Sequence, residues 1–247
     1  MAFETERRPL GGYAGTGAEA IEVDAGLRKY LLGVYNYMAS GLLLSGIVAL
    51  VVANTPLLGA FLKVTAEGRF AGYTPLGFVA ILAPIGMIFF MNANRQILTL
   101  KVMYWVFVAL MGIGLTVPMV VYTGASVART FFITAIAFGG LSLYGYSTKR
   151  DLSGMRTFLM MGLIGIIVAS LVSMFFPSTM LAFVISVAGV LIFAGLTAYD
   201  TQNLKRVYYQ VNGSGYEETS AVMGAVGLYL NFVNLFQFLL AFVGDRR

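Results

Sequence analysis

Hydrophobic residues arrive along this chain in long continuous runs, separated by short polar stretches. Seven runs, at about 30–53, 75–92, 101–122, 130–147, 157–176, 180–199 and 221–243, are near the length that lets a helix cross ~30 Å of hydrocarbon. None alternates residue by residue, as the strands of a membrane barrel would. The pattern predicts an all-α polytopic membrane protein with seven transmembrane helices. Residues 1–28, MAFETERRPLGGYAGTGAEAIEVDAGLR, are polar, Gly-rich and mixed in charge, and predict a mobile tail with a short amphipathic piece near 21–27. Its acidic residues, and the lack of an apolar segment close behind, argue against a cleaved signal peptide. Residues 29–247 form the single transmembrane domain. Pro84 predicts a kink in the second span, Pro118 a bend at the far end of the third, and Pro177 the end of the fifth. Residues 54–74, with Pro56, Lys63, Glu67 and Arg69, predict an outer loop.

The last run, AVMGAVGLYLNFVNLFQFLLAFV, differs from the others. Asn231, Asn234 and Gln237 lie inside it, where an amide without a partner is costly. Gly224, Gly227, Asn231 and Asn234 follow steps of three, four and three, so they share one helical face. Leu, Val and Phe fill the opposite side. A helix with one small, polar face suits a protein interior. The amides serve either as interhelical glue or as pathway lining, and the glycines permit close helix approach.

Composition narrows the chemistry. Of 247 residues, 59% are hydrophobic and 11% charged, against about 25% charged in a soluble domain. With no Cys and no His, thiol chemistry, disulfides, Cys/His zinc sites and the imidazole pH switch are all excluded. Proton sensing must then rest on a perturbed carboxylate. No nucleophile–base pair, phosphate loop or metalloprotease signature is present, so the chain is not expected to be an enzyme. No organic cofactor is implied. The net charge of +5 is spread over short loops with no basic cluster among exposed aromatics, which argues against a nucleic-acid partner.

Lys and Arg set the orientation. With the N-terminus inside, the inner segments carry eleven of them and the outer segments five. The N-terminus is therefore expected in the cytoplasm and the C-terminus on the opposite side. Arg95, the Lys149–Arg150 turn, Asp200 and the start of the seventh span then share the cytoplasmic end.

Asp200 is the acidic residue nearest an apolar run, directly after GVLIFAGLTAY. Thr197, Phe193, Gly189 and Ser186 precede it by helical turns and form a face of mostly small residues. Asp200 is either the first solvated loop residue or a carboxylate turned into the bundle towards the seventh span. Its face favours the inward position, with Arg95 at the same depth as a possible partner.

Several segments together resemble the Bax inhibitor-1 family, the transmembrane Bax inhibitor motif proteins, of bacterial type. They are AYDTQ at 198–202, LYLNFVNLFQFLL at 228–240, TKRDLSG at 148–154 and the seven-span layout. The resemblance implies a bundle with the seventh helix central, wrapped by the other six. It implies a calcium leak regulated by pH, switched by two aspartates, with an arginine at the cytoplasmic end of the second span. Asp200 matches the first aspartate and Arg95 the arginine. Where the family has Leu-Tyr-Leu-Asp-Phe, this chain has Leu228–Tyr229–Leu230–Asn231–Phe232, so the second aspartate is Asn231.

The expected function is a pH-influenced calcium leak gated near Asp200 and Asn231. Asn234, Gly224, Gly227 and Thr197 are candidate lining residues, and Asp200 is a candidate calcium contact. One titrating group replaces two, so acid-side gating is expected to be weakened or moved to lower pH. Calcium, which prefers several oxygen ligands, should be held less well. The alternative is a non-conducting protein that modulates a membrane-anchored AAA protease, a role the resemblance also implies and which a mobile tail suits. A transporter or intramembrane enzyme is a third reading. The membrane expected is the bacterial inner membrane.

Overall fold

The computed structural model describes residues 15–93 and 96–247, with side chains from 25 onward. Seven helical segments are long and apolar enough to cross a membrane. In chain order the helices are α1 (Gly15–Ala53), short α2 (Leu57–Phe61), α3 (Pro75–Ala93), α4 (Ile97–Gly114), α5 (Thr116–Val121), α6 (Gly124–Ser147), α7 (Ser153–Phe175), α8 (Thr179–Val211) and α9 (Glu217–Val243). The third span is α4 followed by α5. The break falls at Leu115, three residues before Pro118, whose ring lacks an N–H and crowds the preceding turn. Pro84 is instead accommodated within α3.

Three boundaries differ from those read off the sequence. Residues 1–14 of the predicted tail lie outside the described residues, but the helix already begins at Gly15 and Leu27 is buried. The amphipathic piece has fused with the first span, because Leu27 and Tyr30 find packing partners and the Tyr30 and Tyr208 rings lie 5.4 Å apart. The predicted outer loop holds α2 and an antiparallel hairpin of β1 (Leu62–Val64) and β2 (Phe70–Tyr73). The Thr74 hydroxyl closes this unit by donating to the Ala60 carbonyl at 2.6 Å. The sixth span does not stop at Asp200; α8 continues to Val211. Its extension carries Leu204 and Tyr208, spaced by four and both buried, so it has an apolar face of its own.

Helix α9 is the centre of the bundle. Half of its apolar window is buried, against a third or less in every other span. It packs chiefly against α8, α1, α6 and α4. The surround is less even than the resemblance implied: α3 lies mainly on α4, and α7 on α8. Being central, α9 buries its apolar side as well as its polar one. Leu228, Tyr229, Leu235 and Leu240 are as deep as Asn231, while Gly224, Gly227 and Asn234 are only half-buried.

Close contacts and buried polar bonds fix the neighbours of this core. A Cβ at Gly145 of α6 would overlap the Ala198 carbonyl of α8, so only glycine allows these backbones to approach. The Tyr229 hydroxyl of α9 bonds Ser45 Oγ of α1 at 2.7 Å, and Ser45 Oγ donates to the Val108 carbonyl of α4 at 2.6 Å. One chain of bonds thus joins three helices. Tyr229→Phe is expected to cost about 0.5–1.5 kcal/mol, the net worth of one such bond, read as a lower unfolding temperature in detergent. Ser45 keeps its bond to Val108, so the loss should not be larger.

Candidate functional site

Helices α8 and α9 pack along their length and bring the two residues singled out in the sequence into contact. Asn231 Nδ2 donates to Asp200 Oδ2 at 2.6 Å. Asn231 is buried and Asp200 half-buried. Ionised, the carboxylate is the stronger acceptor for such an amide. Asp200 is therefore not a solvated loop residue. The continuation of α8 explains this: with α8 helical on both sides of Asp200, the carboxylate is carried on the same side as buried Thr197.

The other candidates fall around this pair in different ways. Thr197 is fully buried and its hydroxyl donates to the Phe193 carbonyl of its own helix at 2.7 Å. Asn234 likewise donates to the Leu230 carbonyl of its own helix at 2.8 Å. Its nitrogen is satisfied without a second helix, unlike that of Asn231. A Cβ at Gly224 would press into Leu204 of α8, so this glycine serves helix packing; one at Gly227 would meet open space. Arg95 lies outside the described residues. Among the described residues, Arg156, exposed near the start of α7, is a cation that acts electrostatically on Asp200. Among the described residues no group of three or more carboxylates could hold a metal ion. Asp200 thus has no cluster of companion carboxylates around it among the described residues, whereas calcium ordinarily gathers six to eight oxygens.

Beside the pair, the turn at 148–152 is latched onto α8. Gln202 Oε1 accepts from the Leu152 backbone N–H at 2.9 Å, and Gln202 Nε2 donates to the Arg150 carbonyl at 2.7 Å. Arg206 adds bonds to Asp151 and Ser153. Sequence reasoning missed Gln202, Arg206 and Arg156 as parts of this region. The available signal was the helical spacing of Leu204 and Tyr208, which would have kept residues 201–211 in α8 and placed Gln202 and Arg206 one turn apart.

Asp151 gives the latch a pH window. The Ser153 backbone N–H, then the Ser153 hydroxyl, then Arg206 hold its carboxyl down to about 2, from an ordinary 3.8. A carboxyl depressed on folding contributes stability above its unfolded value and loses it as pH falls through the folded one. The latch should therefore be insensitive to pH from 5 to 8 and weaken between about 4 and 2. Comparing unfolding temperatures of wild type and Asp151→Asn checks this. The gap between them should be flat across neutral pH and close towards pH 2.

What the Asp200–Asn231 contact can do is couple charge to helix position. An ionised Asp200 accepts the amide proton and holds α8 against α9 at this level. A protonated one gives up much of the charge-assisted bond.

Comparisons with known proteins agree with this architecture. The family model described as inhibitor of apoptosis-promoting Bax1 matches residues 27–247. An uncharacterized protein of Caulobacter vibrioides is 52% identical over 231 residues, covering 92% of each chain. The inner membrane protein YbhL of Escherichia coli strain K12 is 40% identical over 235 residues, covering 92% of this chain and 96% of that one. An uncharacterized membrane protein of Streptococcus pyogenes is 33% identical over 223 residues, covering 90% and 94%. With the match spanning all seven candidate spans from residue 27 onward, this integral membrane protein belongs to the Bax inhibitor-1 family.

Proposed function

We propose that the protein is a cation leak pathway, with calcium as the permeant ion, gated where α8 meets α9 at Asp200 and Asn231. The observation that carries this reading is the 2.6 Å bond from Asn231 to a half-buried carboxylate between two spans. A carboxylate at that depth is costly and persists where it is paired or serves an ion. It is also the chemistry a cation meets favourably on entry. Because the contact contains one titrating group, the pH response is weak. The Lys and Arg bias supports a cytoplasmic N-terminus, and the printed name of the Escherichia coli relative supports an inner membrane.

Calcium entry into dye-loaded proteoliposomes at pH 7 tests the reading. Wild-type protein should admit calcium above empty vesicles. Asp200→Asn, which keeps the shape and removes the charge, should change the rate severalfold in well-folded protein. Equal rates in protein-containing and empty vesicles would overturn the leak. They would leave the protease-modulating role, which deletion of residues 1–26 should then abolish.

A further inference from the structure

Helices α1 and α6 stand side by side over α9 but are not among each other's main packing partners. Between them runs a groove in three continuous sections of about 440, 590 and 320 Å³. The first two sections share Tyr35, Gly139 and Ser142; the last two share Gly46, Phe131 and Phe232. The groove thus follows α1 from Arg28 to Leu50, and Phe232 and Phe236 of α9 form part of its floor. The volumes are those of small-molecule sites.

Charge is confined to one end. There lie Arg28, Tyr35, Ser142 and Thr201, and the Tyr35 and Thr201 hydroxyls are 3.4 Å apart. Arg28 is exposed and makes no ion pair among the described residues. Lys205 lies 5.0 Å from the centre of the Tyr146 ring at the same mouth and donates to the Tyr146 carbonyl. Asp200, next to Thr201 in sequence, is engaged by Asn231. Ser142, which lines the first two sections, has a buried Oγ with no hydrogen-bond partner among the described residues. A buried hydroxyl left unpaired is costly.

We propose that this groove is a binding site for one phospholipid with an anionic headgroup. The phosphate sits at Arg28, within reach of the field of Lys205. An acyl chain runs between α1 and α6, past Gly139 and Gly46, onto the phenylalanines of α9. This occupant suits both ends, a basic mouth and an apolar channel. The walls leave room for the chain, because a Cβ at Gly46 or Gly139 would meet nothing within 4 Å. The site lies beyond the Asp200 reading and does not depend on it.

Native mass spectrometry of the full chain in detergent tests the proposal, with phosphatidylglycerol or phosphatidylcholine added at equal concentration. Wild type should retain phosphatidylglycerol about fivefold better, the effect of about one basic residue at a lipid headgroup. Arg28→Gln should erase that preference. Gly139→Leu, and independently Gly46→Leu on the facing wall, should lower retention of both lipids about tenfold by filling the channel, with an unchanged unfolding temperature. Equal retention of the two lipids by wild type would overturn the proposal, as would undiminished binding in both filled variants. A dimer that Gly139→Leu disperses would also overturn it, placing a second copy in the groove.

Discussion

Replacing Asn231 with Leu is expected to destabilise the bundle by about 1.5–3 kcal/mol, the range for a hydrogen bond to a charged group. Neutral interhelical bonds in membranes average only ~0.6 kcal/mol, because the unfolded helices also find partners. Two features place this bond above that average. The acceptor is a carboxylate, and the distance is 2.6 Å. Without Asn231 the carboxylate stays half-buried, with the exposed Arg156 as a cation acting on it. The reciprocal change, Asp200→Leu, should cost less, since it strands a neutral amide and not a charge. The double replacement should recover most of the loss, because an apolar pair carries no desolvation penalty. Unfolding temperatures of the three variants in detergent read the coupling directly. Additive losses would show that the two side chains do not act as a pair.

Asn231→Asp is expected to turn a shallow pH response into a steep one. The variant places two carboxylates where the amide and carboxylate now touch. Two like charges ~3 Å apart at an effective dielectric of ~20 repel by about 5 kcal/mol, enough to prevent both from ionising freely. The pair would then hold a shared proton and titrate in two coupled steps. The sign follows from that proton. It bridges α8 and α9 at the acid end, and its contribution is lost as pH rises and repulsion replaces it. Calcium flux and unfolding temperature should both change steeply between pH 5 and 8 in Asn231→Asp, and little in wild type. Parallel profiles in the two proteins would place the pH response elsewhere.

The spans were legible because continuous apolar runs near 20 residues have few other interpretations, and by steric rule Pro118 marks a bend and Pro177 a helix end. The central place of α9 was legible from its polar residues, though not the depth of its apolar side. That depth depends on how many helices surround it, which no pattern within 221–243 encodes. The Asp200–Asn231 contact could be anticipated because each residue sits on a small-residue face and the resemblance pairs their positions. The end of the sixth span could not be read from hydropathy alone, since polar Thr201, Gln202, Asn203, Lys205 and Arg206 interrupt the apolar run. Their helix is held by Leu204 and Tyr208 packing on neighbours, and by bonds from Gln202 to a turn fifty residues earlier. Asn234 shows the opposite case. It occupies the anticipated face, yet its amide is satisfied by its own backbone, a choice that spacing does not reveal.

The most direct measurement is calcium flux through wild-type protein in liposomes from pH 5 to 8, alongside Asp200→Asn. With a single carboxylate at the contact, wild type should show a shallow profile, and Asp200→Asn should shift the rate by a similar factor at every pH. A steep wild-type midpoint near neutral pH that disappears in Asp200→Asn would contradict the weak, one-carboxylate gate.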